Sequence, residues 1–448
     1  MESMKENILN RLRRMEEKIT CDVDMHENIF EITEFEDMVR MGTDNEGNEI
    51  LIWSDALQWA LNRNRYVHIP SNEKVYYIDK LIIINSGNHI IADKDAVICL
   101  VKSVRTCMFR NRNVIYGCIS PIDKSGMLPP DRDISIIGGT WMEQDPKDKV
   151  QVSDNIFTAF LLSNIKGLIL RDMVIQDIHG FAMQIGNVTD MIVENISFPK
   201  TYGDGIHING SVKNAAVRNI SGTTGDDMIA LNAWDWPGSS VNFGNIDTIL
   251  IENITSLGGH KALRMLPGRK YYDDGSMCEC DIKNVIIRNI SGITEFKMYM
   301  QPPTYTVIPV KTAVGRADHI YLEKIELAEG ACFEICSNSA FMSFEDIHLS
   351  YSTKGKSVVL VHVGPKSVTG NRNAPSDEWT EVYYPEGICK VEELYFRNIT
   401  DESGDMMKQA HLAGEIQLKP NPDYPNTVPR GGTGFGIIGN IIYETEHQ

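Results

Sequence analysis

The chain has 448 residues, of which 42% are hydrophobic and 23% charged, a balance that excludes a disordered or low-complexity protein. Its 61 acidic and 43 basic residues leave a net charge of −18. That charge argues against nucleic acid and anionic membranes as main partners, because both need concentrated Lys and Arg. It leaves room for an acidic small substrate, since a few cations in a cleft would suffice.

The length suits two or three ordinary domains or one long solenoid, so the pattern along the chain decides. The amino end, Met1 to Leu9, lacks a basic stretch followed by an apolar one. No secretory signal is therefore expected, and a cytoplasmic location is. No apolar run approaches the roughly 18 residues of a membrane helix. The nine cysteines are odd in number and scattered, and Cys278 and Cys280 lack a second pair at zinc spacing. They read as structural thiols rather than disulfide or metal ligands.

Residues 1 to about 20 carry Ile8, Leu9, Leu12 and Met15 at helix spacing among charged residues. A second helix is expected after Ser54, which can serve as its N-cap before Asp55-Ala-Leu-Gln-Trp-Ala-Leu61. Strands follow at Tyr66-Val-His-Ile-Pro70 and Val75-Tyr-Tyr-Ile78. This order lets the helix plug the open end of a strand stack and hide its apolar core from water. Residues 1–74 are thus expected to form a helical segment and cap, and residues 75–448 the stack itself.

From about residue 75 a unit repeats: apolar, any, apolar, charged, Asn or similar, Ile. It appears at Gly167-Leu-Ile-Leu-Arg-Asp-Met, Asp190-Met-Ile-Val-Glu-Asn-Ile, Asn214-Ala-Ala-Val-Arg-Asn-Ile, Asp247-Thr-Ile-Leu-Ile-Glu-Asn-Ile and Asn284-Val-Ile-Ile-Arg-Asn-Ile. A further copy lies at His319-Ile-Tyr-Leu-Glu-Lys-Ile-Glu326, and weaker ones at 342–348 and 391–399. The Asn recurs at 195, 219, 253 and 289, with gaps of 24, 34 and 36 residues. The first gap is one coil of a parallel β-helix, and the others are one coil plus an insertion such as Ala233 to Ser240. No coil can bury its apolar face alone, so copies must stack. Asn at a fixed corner tolerates the left-handed conformation and can form a side-chain ladder. A leucine-rich repeat fits poorly, because the second half of each copy is strand-like rather than helical. The expected fold is all-β, a single right-handed parallel β-helix with a short N-terminal helical cap. Residues 364–386 read as a loop, and Gly431 to Gly436 as a turn before a last strand.

Three consecutive coils carry the densest polar signal: Tyr202-Gly-Asp204-Gly, Gly225-Asp226-Asp227-Met, and Gly259-His260-Lys261-Ala-Leu-Arg264. Asp204 and Asp226 are 22 residues apart, close to one coil, and coils stack about 4.8 Å apart. Crowded carboxylates repel, which raises at least one pKa. A carboxylic acid that keeps its proton near neutrality suits glycoside hydrolysis. An Asp-Asp pair on a regular strand would point to opposite faces, so the Gly225 corner must bend for both to serve. For any one of these aspartates alone, an Asx-turn is the plainer reading.

These motifs resemble glycoside hydrolase family 28, the polygalacturonase-like parallel β-helix family. Gly225-Asp226-Asp227 matches its Gly-Asp-Asp motif and Gly259-His260 most of its Gly-His-Gly motif. Asp204 matches the aspartate of its Asn-Thr-Asp motif, with Tyr202 and Gly203 as different companions. The resemblance covers roughly residues 75 to 350. It implies a general acid at Asp226, a water held by Asp204 and Asp227, inversion at the sugar carbon, and support from His260. The family's Arg-Ile-Lys motif has no counterpart in Phe296 to Gln301, and Lys261 and Arg264 are the available substitutes for binding a substrate carboxylate.

Further substrate contacts are expected from His207, Trp234, Trp236 and Tyr299, with Tyr305 a weaker candidate. His207 and His179 have wall or corner roles as their plainer reading, and the two tryptophans line a cleft or pack their own loop. The loops 233–245 and 265–280 are expected to close one end of a cleft and to favour exo attack on oligosaccharides, uronic-acid-containing ones among the candidates. No cofactor or metal is called for. A polysaccharide lyase, an intramolecular glycosyl transferase or epimerase, and a non-catalytic sugar-binding β-helix share these features.

Overall fold

The computed structural model describes residues 2–20, 29–44, 46–71, 75–102, 104, 106–115, 127–144, 158–235, 239–293, 296–299, 315–356, 358–363, 382–383, 389–404, 427–428 and 436–444. The expected loop at 364–386 falls almost wholly outside them, and the glycine-rich turn at 431–436 outside them except for Gly436.

The repeat folds as expected. Successive coils pair in parallel, with residue offsets that follow the gaps in the sequence, and form one continuous stack. The result is a right-handed parallel β-helix, the hand that parallel crossovers take in nearly every fold. Each coil contributes to three faces. The first face stacks Met183–Gly186, Ile206–Asn209, Asp227–Asn232, Lys261–Met265 and Phe296–Tyr299. The second carries the front of the repeat unit, as in Met191–Glu194 over Ala215–Arg218 over Ile249–Glu252. The third carries the Ile after the Asn, as in Ile196 over Ile220 over Ile254 over Ile290.

Inward positions hold aliphatic and aromatic side chains with almost no exposure. Toward the carboxyl end Phe296, Phe333, Phe344, Phe396 and Tyr443 run through the core with adjacent ring centres 4.9 to 5.4 Å apart. Each buried ring contributes a few kcal/mol, which is available only when coils stack.

The corner between the second and third faces is the Asn ladder. Asn195, Asn219, Asn253 and Asn289 have φ between 56° and 58°. Their amides link rung to rung: Asn195 donates to Asp172 at 2.7 Å, Asn219 to Asn195 at 2.8 Å, Asn253 to Asn219 at 2.9 Å and Asn289 to Asn253 at 2.5 Å. Asn is used because its short amide adopts this conformation at little cost and bonds its neighbour.

The helices divide their work differently from the expectation of one N-terminal cap. Helix α2 (Ser54–Arg63) does plug the end, burying Ala56, Leu57, Ala60 and Leu61 in the main core. Its N-cap is Trp53, not Ser54; the Ser54 hydroxyl instead donates to Asp79 Oδ1 at 2.8 Å and accepts the Asp79 N–H at 2.9 Å. The next coil brings Asp79 against Ser54, and that contact replaces the cap. Helix α1 (Glu2–Thr20) lies along the side of the stack. Ile8, Leu12 and Met15 pack on Ile192, Ala216, Leu250, Ile286 and Tyr321, the outward row of the second face. One turn before Ile8, Lys5 bonds Glu323 at 2.7 Å and Glu345 at 2.9 Å. Parallel rungs already include Ile29–Glu31 and Tyr66–Ile69, so stacking starts ahead of residue 75. Among the described residues no helix is long and apolar enough to cross a membrane.

Candidate functional site

The corner between the third and first faces holds the aspartates. It needs chains to approach closely: a Cβ on Gly225 would lie 2.1 Å from the Tyr202 carbonyl oxygen, and one on Gly203 2.5 Å from that of Gly180. Beyond this corner Asp204, Asp227 and Lys261 occupy one register position on three successive rungs. His207, Ala230 and Arg264 occupy another.

The stacking expected of the trio is present, but the three carboxylates meet different fates. Asp226 stands at the bend with its side chain 26% exposed, while Asp204 and Asp227 have none. This is the alternation of an Asp-Asp pair entering a strand.

Asp204 is fully committed. Its Oδ1 accepts the Asp227 N–H at 3.0 Å, and its Oδ2 faces His207 Nδ1 at 2.5 Å and Arg264 Nη2 at 3.5 Å. Asp227 Oδ2 lies 2.6 Å from Arg264 Nε, and Oδ1 lies 3.5 Å from Lys261 Nζ. Among the described residues neither Asp227 oxygen accepts a well-aligned hydrogen bond. Burial raises its pKa most; Arg264 opposes this, Asp226 and Asp204 add to it, Lys261 opposes, and the carboxyl ends at about 7. The water-holding role expected of Asp204 and Asp227 does not fit this geometry, because both are sealed and paired with cations.

Lys261 and Arg264 are likewise not free for a substrate carboxylate. Both are buried, and both face the aspartates. His207 is no cleft wall either. It is fully buried, stacks on Phe181 with ring centres 3.9 Å apart, and sits between Asp204 and Asp235, whose Oδ2 is 2.9 Å from Nε2. Burial pulls its pKa down, but hydrogen bonds and charge from the two aspartates outweigh that and push it up to about 9. A carboxylate on each ring nitrogen holds the imidazole doubly protonated. Asp235, also buried, completes the group by accepting Asn232 Nδ2 at 2.8 Å. Sequence reasoning missed it, because an aspartate inside an insertion carries no register signal. The centre therefore sets four aspartates against three cations.

The insertion contributes to the burial of His207. It folds back over the first face instead of closing a cleft end: the Ser239 carbonyl accepts Gln184 Nε2 at 2.7 Å and Asn209 Oδ1 accepts the Val241 N–H at 3.0 Å. Trp234 goes into the core beside Phe243, not into a cleft, and a Cβ on Gly268 would lie 2.8 Å from its own Cβ. Trp236 lies outside the described residues, as does Tyr305. Tyr299 is in a first-face strand, but its side chain is outside the described ones. The segment 265–280 forms the antiparallel hairpin Gly268–Tyr271 with Met277–Cys280, beyond the far end of the strand that Lys261 begins.

The open part of the corner is small and polar. His260 is 63% exposed, with Nδ1 3.6 Å from Asp226 Oδ1. Lys261 Nζ touches the same imidazole nitrogen from beneath. Donor atoms of Asp226, Asp227 and His260 lie within 4.8 Å of one another, close enough to share a cation. His179, on the same edge of the stack, pairs with the buried Glu143, in keeping with a corner role.

No family model matches the chain, and no curated protein matches it either. Solved structures do. A hyperthermoactive exopolygalacturonase from Thermotoga maritima aligns over 96% of each chain at 10% identity and a TM-score of 0.48. A surface adhesin of Streptococcus pneumoniae, PfbA, aligns over 84% of this chain and 88% of its own at 13% identity and a TM-score of 0.41. The Azotobacter vinelandii mannuronan C-5 epimerase AlgE4 A-module aligns over 93% and 96% at 10% identity and a TM-score of 0.36. Similarity at this level spans enzymes and an adhesin, so function has to be argued from this chain's own residues.

Proposed function

We propose that the chain is a carbohydrate-active enzyme of the glycoside hydrolase type, cleaving O-glycosidic bonds of oligosaccharides with Asp226 as proton donor to the departing sugar oxygen. The observation that carries this reading is the placement of Asp226. It is the exposed member of a stacked aspartate trio, with His260 open beside it and Asp227 directly behind it. Burial and the like charges of Asp226 and Asp204 raise the carboxyl behind it, Asp227, to about 7. A carboxyl at an open corner, crowded by a second carboxyl behind it, is placed to deliver a proton to a leaving alkoxide. His260 contacts the sugar and supports Asp226. The buried Asp204–His207–Asp235–Arg264 group holds the corner in shape and keeps Asp227 in a fixed field.

The test is a screen of chromogenic glycosides and of neutral and uronic-acid-containing oligosaccharides, with Asp226→Asn as control. Turnover with new reducing ends, lost in the variant while the protein stays folded, supports the proposal. Binding without turnover, an unsaturated ultraviolet-absorbing product, or a product of unchanged mass overturns it. These outcomes point respectively to a sugar-binding protein, a lyase, and an epimerase or transferase.

A further inference from the structure

At the amino-terminal end of the stack, four arginines meet around one groove of about 660 Å³. Arg63 ends helix α2, and Arg65 leads into the strand Tyr66–Ile69. Arg112 follows the strand Phe109–Asn111, and Arg132 lies in Asp131–Ile137. All four are exposed. Among the described residues no carboxylate lies within ion-pair distance of any of them, although the chain carries a net charge of −18. One carboxylate, Asp133, shares the groove. The neighbouring Asp131 is turned inward, where Ser86, Asn111 and the Asn113 N–H bond it.

Three of the four guanidinium groups are held rather than dangling. Arg63 lies over the Trp59 ring at 4.0 Å, Arg65 over Tyr66 at 5.4 Å, and Arg112 Nε donates to Asn85 Oδ1. The floor is pinned as well. Asn88 Nδ2 donates to the carbonyls of Leu61 at 3.1 Å and Asn64 at 2.9 Å, and Asn85 Nδ2 to that of Leu61 at 3.0 Å. Anchored arginines lose little freedom on binding, and their planar forks match carboxylate and sulfate oxygens two at a time.

The geometry points to a second binding site in this groove for an anionic oligosaccharide, one bearing carboxylate or sulfate groups. It lies at the corner between the first and second faces, several coils from Asp226 and on a different edge of the stack. The choice of a glycan among polyanions rests on the carbohydrate reading above; the site itself does not. A nucleic acid is disfavoured by the acidic remainder of the surface.

The test is calorimetric titration of the full chain, so it needs no turnover and stands apart from the fate of the Asp226 proposal. The probes are an oligogalacturonide, a heparin-derived oligosaccharide and a neutral cello-oligosaccharide of matched length. The two anionic probes should bind, with affinity falling as salt rises, and the tighter of them tells carboxylate from sulfate. The neutral one should not bind. The double variant Arg112→Ala/Arg132→Ala should bind at least tenfold more weakly at unchanged Tm, Arg65→Glu more weakly still, and Asn219→Ala, on another corner, like the wild type. Equal binding by folded arginine variants, equal binding of the neutral probe, or tighter binding of a short RNA would overturn the inference.

Discussion

Two corners of the same coil bracket the third face, and they are built on opposite principles. The corner before it repeats: Asn195, Asn219, Asn253 and Asn289 take the same conformation and make the same bond on every rung. The corner after it does not repeat: two acids, Asp204 and Asp227, stand in register with a cation, Lys261, on the next rung. Repetition lets each rung stabilise the next with uncharged groups. The charged row puts both like and opposite charges in contact and buries them, which costs desolvation and raises the Asp227 carboxyl. A solenoid has no need of the second arrangement for its stability, and that is the argument for a task at that corner.

The largest expected effect separates the corners by activity. Asp226→Asn should lower turnover by about 10²–10⁴, the usual worth of a positioned proton donor. Its Tm should hardly move, since the side chain is partly in water. Asn219→Ala should leave turnover per folded molecule unchanged. Should the ladder variant lose as much activity as Asp226→Asn, the distinction between the corners would be lost.

The next effect concerns the buried charges. Arg264→Ala removes the cation 2.6 Å from Asp227 and 3.5 Å from Asp204. Breaking one side of a buried pair costs about 3–5 kcal/mol, which denaturant unfolding would read as a lower midpoint. Replacement by Lys keeps the charge but not the two-way reach, and should recover only part of the loss.

The same centre gives stability a pH dependence of known sign. His207 rises from 6.5 to about 9 on folding, so its contribution is present below pH 6.5 and lost as pH climbs through 9. The size is on the order of 3 kcal/mol. Asp227 rises from 3.8 to about 7. The folded state holds a proton that the unfolded state releases, so stability falls between pH 4 and 7, by a similar order. Unfolding midpoints from pH 4 to 9.5 should decline across both windows. Asp227→Asn should remove the lower decline and His207→Gln the upper one. A midpoint that rises from pH 4 to 7 in the wild type and stays unchanged in Asp227→Asn would refute the assignment.

Much of this was legible in the sequence, and the limit is physical. The Asn spacing announces the coil because few residues accept a left-handed corner, and the one-coil step from Asp204 to the Asp226–Asp227 pair announces their neighbourhood, with the register falling on Asp227. Burial was not legible. Whether His207 faces solvent depends on what lies over the first face, and there Asp235 arrives from an insertion whose path no periodicity fixes. The same insertion takes Trp234 into the core. Helix α1 is a parallel case: Ile8, Leu12 and Met15 define an apolar stripe, but a stripe does not say which surface it meets. The structure places it on the flank at Leu250 and Tyr321, while α2 takes the end.

The smallest effect tests the repeating corner by itself. Asn219 has φ 57°, donates to Asn195 at 2.8 Å and accepts from Asn253 at 2.9 Å. Asn219→Ala forces a Cβ residue without a helpful side chain into the left-handed region, at about 1–2 kcal/mol. It also removes two exposed amide bonds, each worth at most about 1 kcal/mol net. Asn219→Gly keeps the backbone at ease and removes only the bonds. The gap between the two variants in chemical denaturation therefore isolates the conformational part, which should be the larger. If Gly were as damaging as Ala, the ladder would be held by its amide bonds rather than by the conformation that Asn allows.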